Sequence, residues 1–294
     1  MSTALLYHAA VAARIIRHQV KVGDRTTSAL VAPACEAAPH TLVFLHAWPF
    51  RAEMWQTQLD ARPRGWQAIA PDFRGFGQST PDATPDGIRR RDDVTLMDYV
   101  DDVLALLDAQ AVERAVFCGL SMGGYAALQL VRGHPHRVAG LVLADTRATA
   151  DGEQAIAGRL AMLDVLDSRG VIGVISEMLP KLLSDRTRRE KPAFPLFTAR
   201  LMSGSTQSGV GHAVVRMMRR DTSAAHLPQI TCPTLVVVGA DDVLTPVAES
   251  EAMAGAIPGA ELLVIPGAGH MSNLEEPDRF NGALRSFLTR HWGT

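Results

Sequence analysis

The chain has 294 residues, 47% of them hydrophobic and 20% charged, a composition that fits a globular fold and excludes disordered and fibrous classes. A formal net charge of −2 excludes a generally basic surface, and with it electrostatic capture of nucleic acid. No run approaches the ~20 apolar residues that span a bilayer, so neither nucleic acid nor membrane is an expected partner.

Residues 1–13 are mildly apolar, but they lack a basic leader and are interrupted by Tyr7 and His8, so they read as mature chain. Residues 15–22 and 26–31 flank Val22-Gly23-Asp24-Arg25, the pattern of an opening hairpin. Residues 41–46 (TLVFLH) form a short continuous apolar run, expected of a strand buried on both faces. Residues 67–70, 115–118, 138–143, 235–238 and 261–265 are further candidate strands. Between them, Leu96, Val100, Val103, Leu104 and Leu107 recur at helical spacing with aspartates opposite. Residues 122–131 and 274–291 read as two more helices, the latter opening with Glu-Glu-Pro. Strands alternating with helices predict an α/β fold, a mostly parallel sheet with helices on both faces.

Residues 148–225 break the alternation. Helical stretches at 156–166, 171–183 and 212–218 are punctuated by Pro180, Pro192, Pro195 and Gly204. Strand-forming sequence resumes at Leu235 and would complete the same sheet, so 148–225 is expected to be a helical insertion in a core made of 1–147 and 226–294. The Arg-rich piece 186–189 reads as a solvated helix face. Cys35, Cys118 and Cys232 are isolated in sequence, which suggests a reducing compartment, the cytoplasm by default. No Cys or His pair has metal-finger spacing, and neither metal nor cofactor is expected.

The strongest local signal is Gly119-Leu120-Ser121-Met122-Gly123-Gly124, between the strand-like AVFC and the helix-like YAALQLV. A strand that turns sharply into a helix holds its residue in a strained conformation and brings neighbouring chain close, which calls for glycines on either side. Ser121 would then project at a helix N-terminus, where developing negative charge is favoured. The bland alternative is a glycine-rich turn with an incidental serine.

A serine hydroxyl needs a base within hydrogen-bond reach, and His270, in the glycine-rich Pro266-Gly267-Ala268-Gly269-His270-Met271 after the last strand, is best placed. His212 and His226 fall in or near the insertion, with no orienting acid in view. The base needs a carboxylate; Asp241, Asp242 and Asp145 all keep the order Ser, Asp, His, and spacing leaves the choice open. Oxyanion donors are expected from the main-chain N–H of Met122 and of Trp48, the latter in His46-Ala47-Trp48-Pro49. His46 is read as a brace for that loop rather than a base. Trp48 and Phe50 are the expected substrate contacts. Met162, Met178, Met202, Met217 and Met218 could line an adaptable apolar site, although packing at helical spacing is the favoured reading.

Taken together, HAWP (46–49), DFRGFGQS (72–79), GLSMGG (119–124), GADDVLTP (239–246) and GAGHMSNLEEP (267–277) resemble the α/β-hydrolase superfamily, in family order and over about residues 14–291. The stretch GLVLADTRATAD (140–151) further resembles hydrolases around 3-oxoadipate enol-lactonase. The resemblance implies an eight-stranded sheet with one antiparallel strand and a helical cap after the sixth strand. It selects Asp242 as the acid, leaves Asp145 structural, and gives Asp72 and Arg74 a bracing role. One departure is His46-Ala47 where the family usually carries His-Gly, which would matter if Ala47 took positive φ. The implied function is hydrolysis of a small-molecule carboxylic ester or lactone through an acyl-enzyme on Ser121, with catalytic Ser121, Asp242 and His270. The same fold and triad also serve perhydrolase or haloperoxidase-like, C–C bond hydrolase and elimination chemistry. An inert ligand receptor is opposed by retention of all three residues. Self-association into a homo-oligomer is left open.

Overall fold

A computed structural model describes residues 14–34, 40–83, 87–88 and 93–293; the 1–13 segment and Cys35 lie outside the described residues. Short runs of aliphatic and β-branched residues form the sheet, because such side chains pack well on a pleated surface. The strands are β1 (Ile16–Val22), β2 (Arg25–Ala32), β3 (His40–Leu45), β4 (Trp66–Pro71), β5 (Ala115–Leu120), β6 (Val138–Ala144), β7 (Thr234–Gly239) and β8 (Glu261–Ile265). They make one eight-stranded sheet in the order β1-β2-β4-β3-β5-β6-β7-β8. β2 runs antiparallel to both its neighbours, and every other pairing is parallel. The β1–β2 hairpin closes where Val22 faces Arg25, and Gly23 takes φ 62° in its turn.

The helices outside the insertion are α1 (Gln56–Asp60), α2 (Met97–Asp108) and α3 (Met122–Gly133), and three more after β7. Between β6 and β7 come α4 (Glu153–Leu182), α5 (Asp185–Glu190), α6 (Phe194–Met202) and α7 (Gln207–Met218). α8 (Val247–Ala256), α9 (Ser272–Glu275) and α10 (Pro277–Trp292) complete the order. Successive strand residues face opposite sides, so β3 sends Val43 and Leu45 into one core and Leu42 and Phe44 into the other. The first core is closed by Val100, Val103 and Leu107 of α2, the second by Phe280, Leu284 and Phe287 of α10. Each such fully buried side chain is worth roughly 1.5–3 kcal/mol. No helix among the described residues is long and apolar enough to cross a membrane.

The C-terminal helix expected over 274–291 is in fact divided. Glu276 has φ −129° and ψ 60°, ending α9, and α10 starts at Pro277. Proline disfavours helical backbone in the residue before it and is well suited to the first helical position itself. Within the insertion, α4 is interrupted at Gly170, whose φ of 64° and ψ of −165° are not helical.

Candidate active site

Ser121 sits between β5 and α3 with φ 54° and ψ −111°, a sparsely populated conformation that costs of order 1–3 kcal/mol. The two glycines around it are required by space. A Cβ on Gly119 would lie 2.2 Å from the Gly123 carbonyl oxygen, and one on Gly123 would lie 2.1 Å from that of Leu45. The turn is held by bonds to the next strand: Ser121 N–H donates to Ala144 O at 2.9 Å, and Thr146 Oγ1 donates to Ser121 O at 2.8 Å.

His270, 2% exposed, follows β8 and places Nδ1 2.8 Å from Asp242 Oδ2. Asp242 follows β7, and its Oδ1 accepts the Leu244 and Thr245 N–H groups at 2.8 and 3.0 Å. Thr245 Oγ1 donates to Asp242 Oδ2 at 2.5 Å. Thr245 lies inside the GADDVLTP motif, but residue type alone does not mark its role, because its contribution depends on the turn. Burial pushes the Asp242 carboxyl up, but the adjacent imidazole and these hydrogen bonds outweigh it and hold the group below its usual range. For His270, burial favours the neutral ring, while the charge and hydrogen bond of Asp242 prevail and raise its pKa above 6.5.

The other two candidate acids go elsewhere. Asp241 is exposed, and its N–H donates to Ala268 O at 2.8 Å. Asp145, fully buried with φ 43°, accepts Gly239 N–H at 2.8 Å and the Ser272 hydroxyl. Burial, and next the charge of Asp242, push its carboxyl well above the usual range. It fastens the ends of β6 and β7 to the start of α9.

On the loop after β3, His46 Nδ1 donates to Ala47 O at 2.9 Å and Nε2 accepts Phe73 N–H at 3.0 Å. Both nitrogens are engaged, and full burial lowers the pKa to about 4. The ring is a neutral brace. Among the described residues, the non-glycine positions with positive φ are Ala111, Ser121 and Asp145, so the Ala47 methyl introduces no backbone strain. Asp72 accepts from Ala52 N–H at 2.8 Å and from Arg17 at 2.6 Å, and Arg74 grips Asp102 at 2.5 and 3.0 Å. These pairs tie the 72–79 loop to its surroundings.

Ser121, His270 and Trp48 line one cavity of about 270 Å³, with Arg147 and Leu244 beside them. Met162, Met178 and Met217 of the insertion line its other side, whereas Met202 is buried in the core. Trp48 reaches α7, where its indole N–H donates to Val210 O at 3.0 Å. Met122 is the first residue of α3; among the described residues nothing accepts a hydrogen bond from its main-chain N–H or from that of Trp48. Phe50 departs from expectation: it is fully buried in the second core with Ala52 and Trp55 and is not part of the cavity wall. Its N–H closes a turn on Ala47 O at 2.8 Å, and after that reversal the ring meets the core instead of the opening.

Two features of the insertion carried no sequence signal. Asp151 pairs with Arg159 and, at 2.9 Å, with Arg220, whose guanidinium lies 4.1 Å from the centre of the Tyr125 ring. His212 does have an acid near it, since Nδ1 lies 3.6 Å from Asp82 Oδ2, supplied by a loop far away in sequence. A second cavity of about 250 Å³ opens beside Arg114, Val138 and Pro233. Those residues mark the starts of β5, β6 and β7, so this cavity lies at the opposite edge of the sheet from Ser121.

The chain is 29% identical over 256 residues to 3-oxoadipate enol-lactonase 1 of Acinetobacter baylyi, covering 86% of this chain and 90% of that protein. A thermophilic esterase from Thermogutta terrifontis superposes with a TM-score of 0.83 at 30% identity, over 95% of this chain and 99% of the other. A hydrolase from Pseudomonas aeruginosa superposes with a TM-score of 0.81 at 29% identity, over 92% and 98%. The model of the alpha/beta hydrolase fold family matches residues 40–277, which spans the sheet from β3 onward together with Ser121, Asp242 and His270, and the chain belongs to that family.

Proposed function

We propose that this protein hydrolyses carboxylic esters or lactones through an acyl-enzyme on Ser121. The observation that carries the reading is the buried Asp242–His270 pair, 2.8 Å apart, beside a serine held on a strained turn in the same cavity. His270 Nε2 takes the Ser121 proton as Oγ attacks the carbonyl carbon. The main-chain N–H groups of Met122 and Trp48 stabilise the oxyanion, each worth on the order of 10²-fold in rate. His270 then protonates the leaving oxygen as its bond to carbon breaks; for a lactone that oxygen stays tethered to the acyl chain. Water, deprotonated by His270, attacks the acyl-enzyme, and the imidazolium returns that proton to Ser121 Oγ as its bond to carbon breaks and the acid is released. Asp242 stabilises the imidazolium in both halves. Residues 148–225 act as a cap over the core formed by 1–147 and 226–294, and their methionines adapt the wall to the acyl group. The names of the esterase and the enol-lactonase among the similar proteins support the substrate class.

Turnover of a small aryl ester and labelling by a fluorophosphonate test the reading together. The expected result is stoichiometric labelling of the wild-type protein at Ser121, and loss of on the order of 10⁴-fold or more of kcat in Ser121→Ala. Acid and alcohol should be released from esters while a β-diketone is left intact. A Ser121→Ala variant that turns over at the wild-type rate would end the proposal.

A further inference from the structure

Glu275, the last residue of α9, is fully buried. Its Oε1 accepts the N–H of Gly269 at 2.8 Å, the residue immediately before His270. Its Oε2 accepts the N–H of Ser184 at 2.9 Å and lies 2.8 Å from the Ser184 hydroxyl. Ser184 belongs to the insertion, between α4 and α5, and that hydroxyl accepts Thr187 N–H at 3.0 Å as the N-cap of α5. It also lies 2.9 Å from Gly267 O. On the other side of His270, Met271 N–H donates to Leu182 O, the last residue of α4, at 3.2 Å. Both chain neighbours of His270 are thus hydrogen-bonded to groups that belong to, or are held by, the insertion. The approach is close: a Cβ on Gly269 would lie 2.6 Å from Ser184 N.

From this geometry we infer that Glu275 is a positioning residue for His270, locking the imidazole's loop to the α4–α5 junction so that the placement of the insertion sets the placement of the base. The inference rests on the reading of His270 as base. A carboxylate suits the position because its two oxygens each accept, one from the loop and one from the insertion. A glutamine offers one acceptor and turns an NH₂ group against the donors on the other side, so it cannot serve both.

The test compares Glu275→Gln and Ser184→Ala with wild type on a small aryl ester, with rates normalised to sites titrated by a fluorophosphonate. For Glu275→Gln, kcat per titrated site should fall about 10- to 100-fold, as expected of a misplacement on the order of 1 Å, with KM nearly unchanged. The acid limb of kcat/KM should move to lower pH by about 0.5 unit or more, because an imidazole loosened from Asp242 loses part of the attraction that favours its charged form. Ser184→Ala should shift both in the same direction by less, and it decides the matter if Glu275→Gln does not fold. A merely structural Glu275 would lower Tm and the number of titrated sites while leaving kcat per site and the acid limb at wild-type values, and that result overturns the proposal. His270→Ala keeps the two readings separable: if it retains wild-type turnover, the assignment of the base is wrong, whatever Glu275→Gln does.

Discussion

The Asp242 carboxylate receives two main-chain N–H groups, a threonine hydroxyl and the imidazole of His270, so both oxygens are saturated and the ring orientation is dictated. Asp242→Asn keeps the shape but turns an NH₂ group toward Nδ1 or toward Thr245, which favours the wrong tautomer. The expected cost is about 10⁴-fold in kcat. The pH dependence provides the check. In the proposed mechanism the base works as neutral imidazole, and Asp242 raises the His270 pKa above 6.5, so activity should be lost as pH falls through that raised value. Removing the negative charge must therefore move the acid limb of kcat/KM to lower pH. A limb that stays in place would mean His270 is not the group being titrated. At this scale, motif order singles out Ser121 and His270 as candidates, whereas chain order leaves Asp145, Asp241 and Asp242 open and the family resemblance alone picks Asp242 among them. Only the turn at 242–245 and the partners of Asp145 distinguish them in space. Phe50 misled because proximity in sequence to Trp48 says nothing about a turn that reverses the side-chain direction.

The elements differ in how openly the sequence declares them. The inner strands are evident as apolar runs because both faces of the sheet are covered there, leaving no polar alternation to confuse the pattern, whereas β1, IRHQVKV, lies largely exposed at the sheet edge and is marked by the Gly23 turn that follows it. α6 and α8 carry no clear signal, and α5 shows only as the solvated 186–189 face: α8 is mostly alanine and polar residues around Val247 and Met253, and α5 is short and highly charged. The docking of α7 was equally hidden, since it rests on two glycines distant in sequence. Gly75, at φ 78°, and Gly209 meet backbone to backbone; a Cβ on Gly209 would lie 2.4 Å from Gly75 O. Gly75 O also accepts Thr206 N–H at 2.9 Å, and one residue beyond Gly209 the Val210 carbonyl receives the Trp48 indole. Gly209→Ala should therefore push α7 outward, with a loss of about 1–3 kcal/mol in stability as for an overpacked core. Because Trp48 and Met217 both line the cavity, KM for esters should change with it. Thermal unfolding and a KM series over acyl length measure the two effects. Wild-type values in both would show that α7 does not depend on this contact.

Across the whole molecule, the site exists only because the sheet gathers the ends of β3, β5, β7 and β8, with Ser121 and His270 far apart in the chain. The fold's tolerance of acid then bears on function, and His46 is the group whose contribution can be isolated. It is fully buried between β3 and the 72–79 loop, with its pKa lowered from 6.5 to about 4. Between those values the unfolded chain binds a proton at this site and the folded chain does not, so its contribution to stability declines as pH falls from 6.5 to about 4 and is flat below. Without exposure to discount it, the difference amounts to on the order of 3 kcal/mol. Asp145 acts with the opposite sign, since a carboxyl raised by folding favours the native state as pH falls, and the wild-type curve alone would mix the two. The informative quantity is the difference in unfolding free energy between wild type and His46→Gln. A glutamine cannot take up that proton, so the stability advantage of the wild type should shrink by this amount between pH 6.5 and 4. Urea unfolding of both proteins across the range measures it. A difference that stays constant with pH would mean that His46 titrates alike in the folded and unfolded chains, and that the loop it braces is open to water.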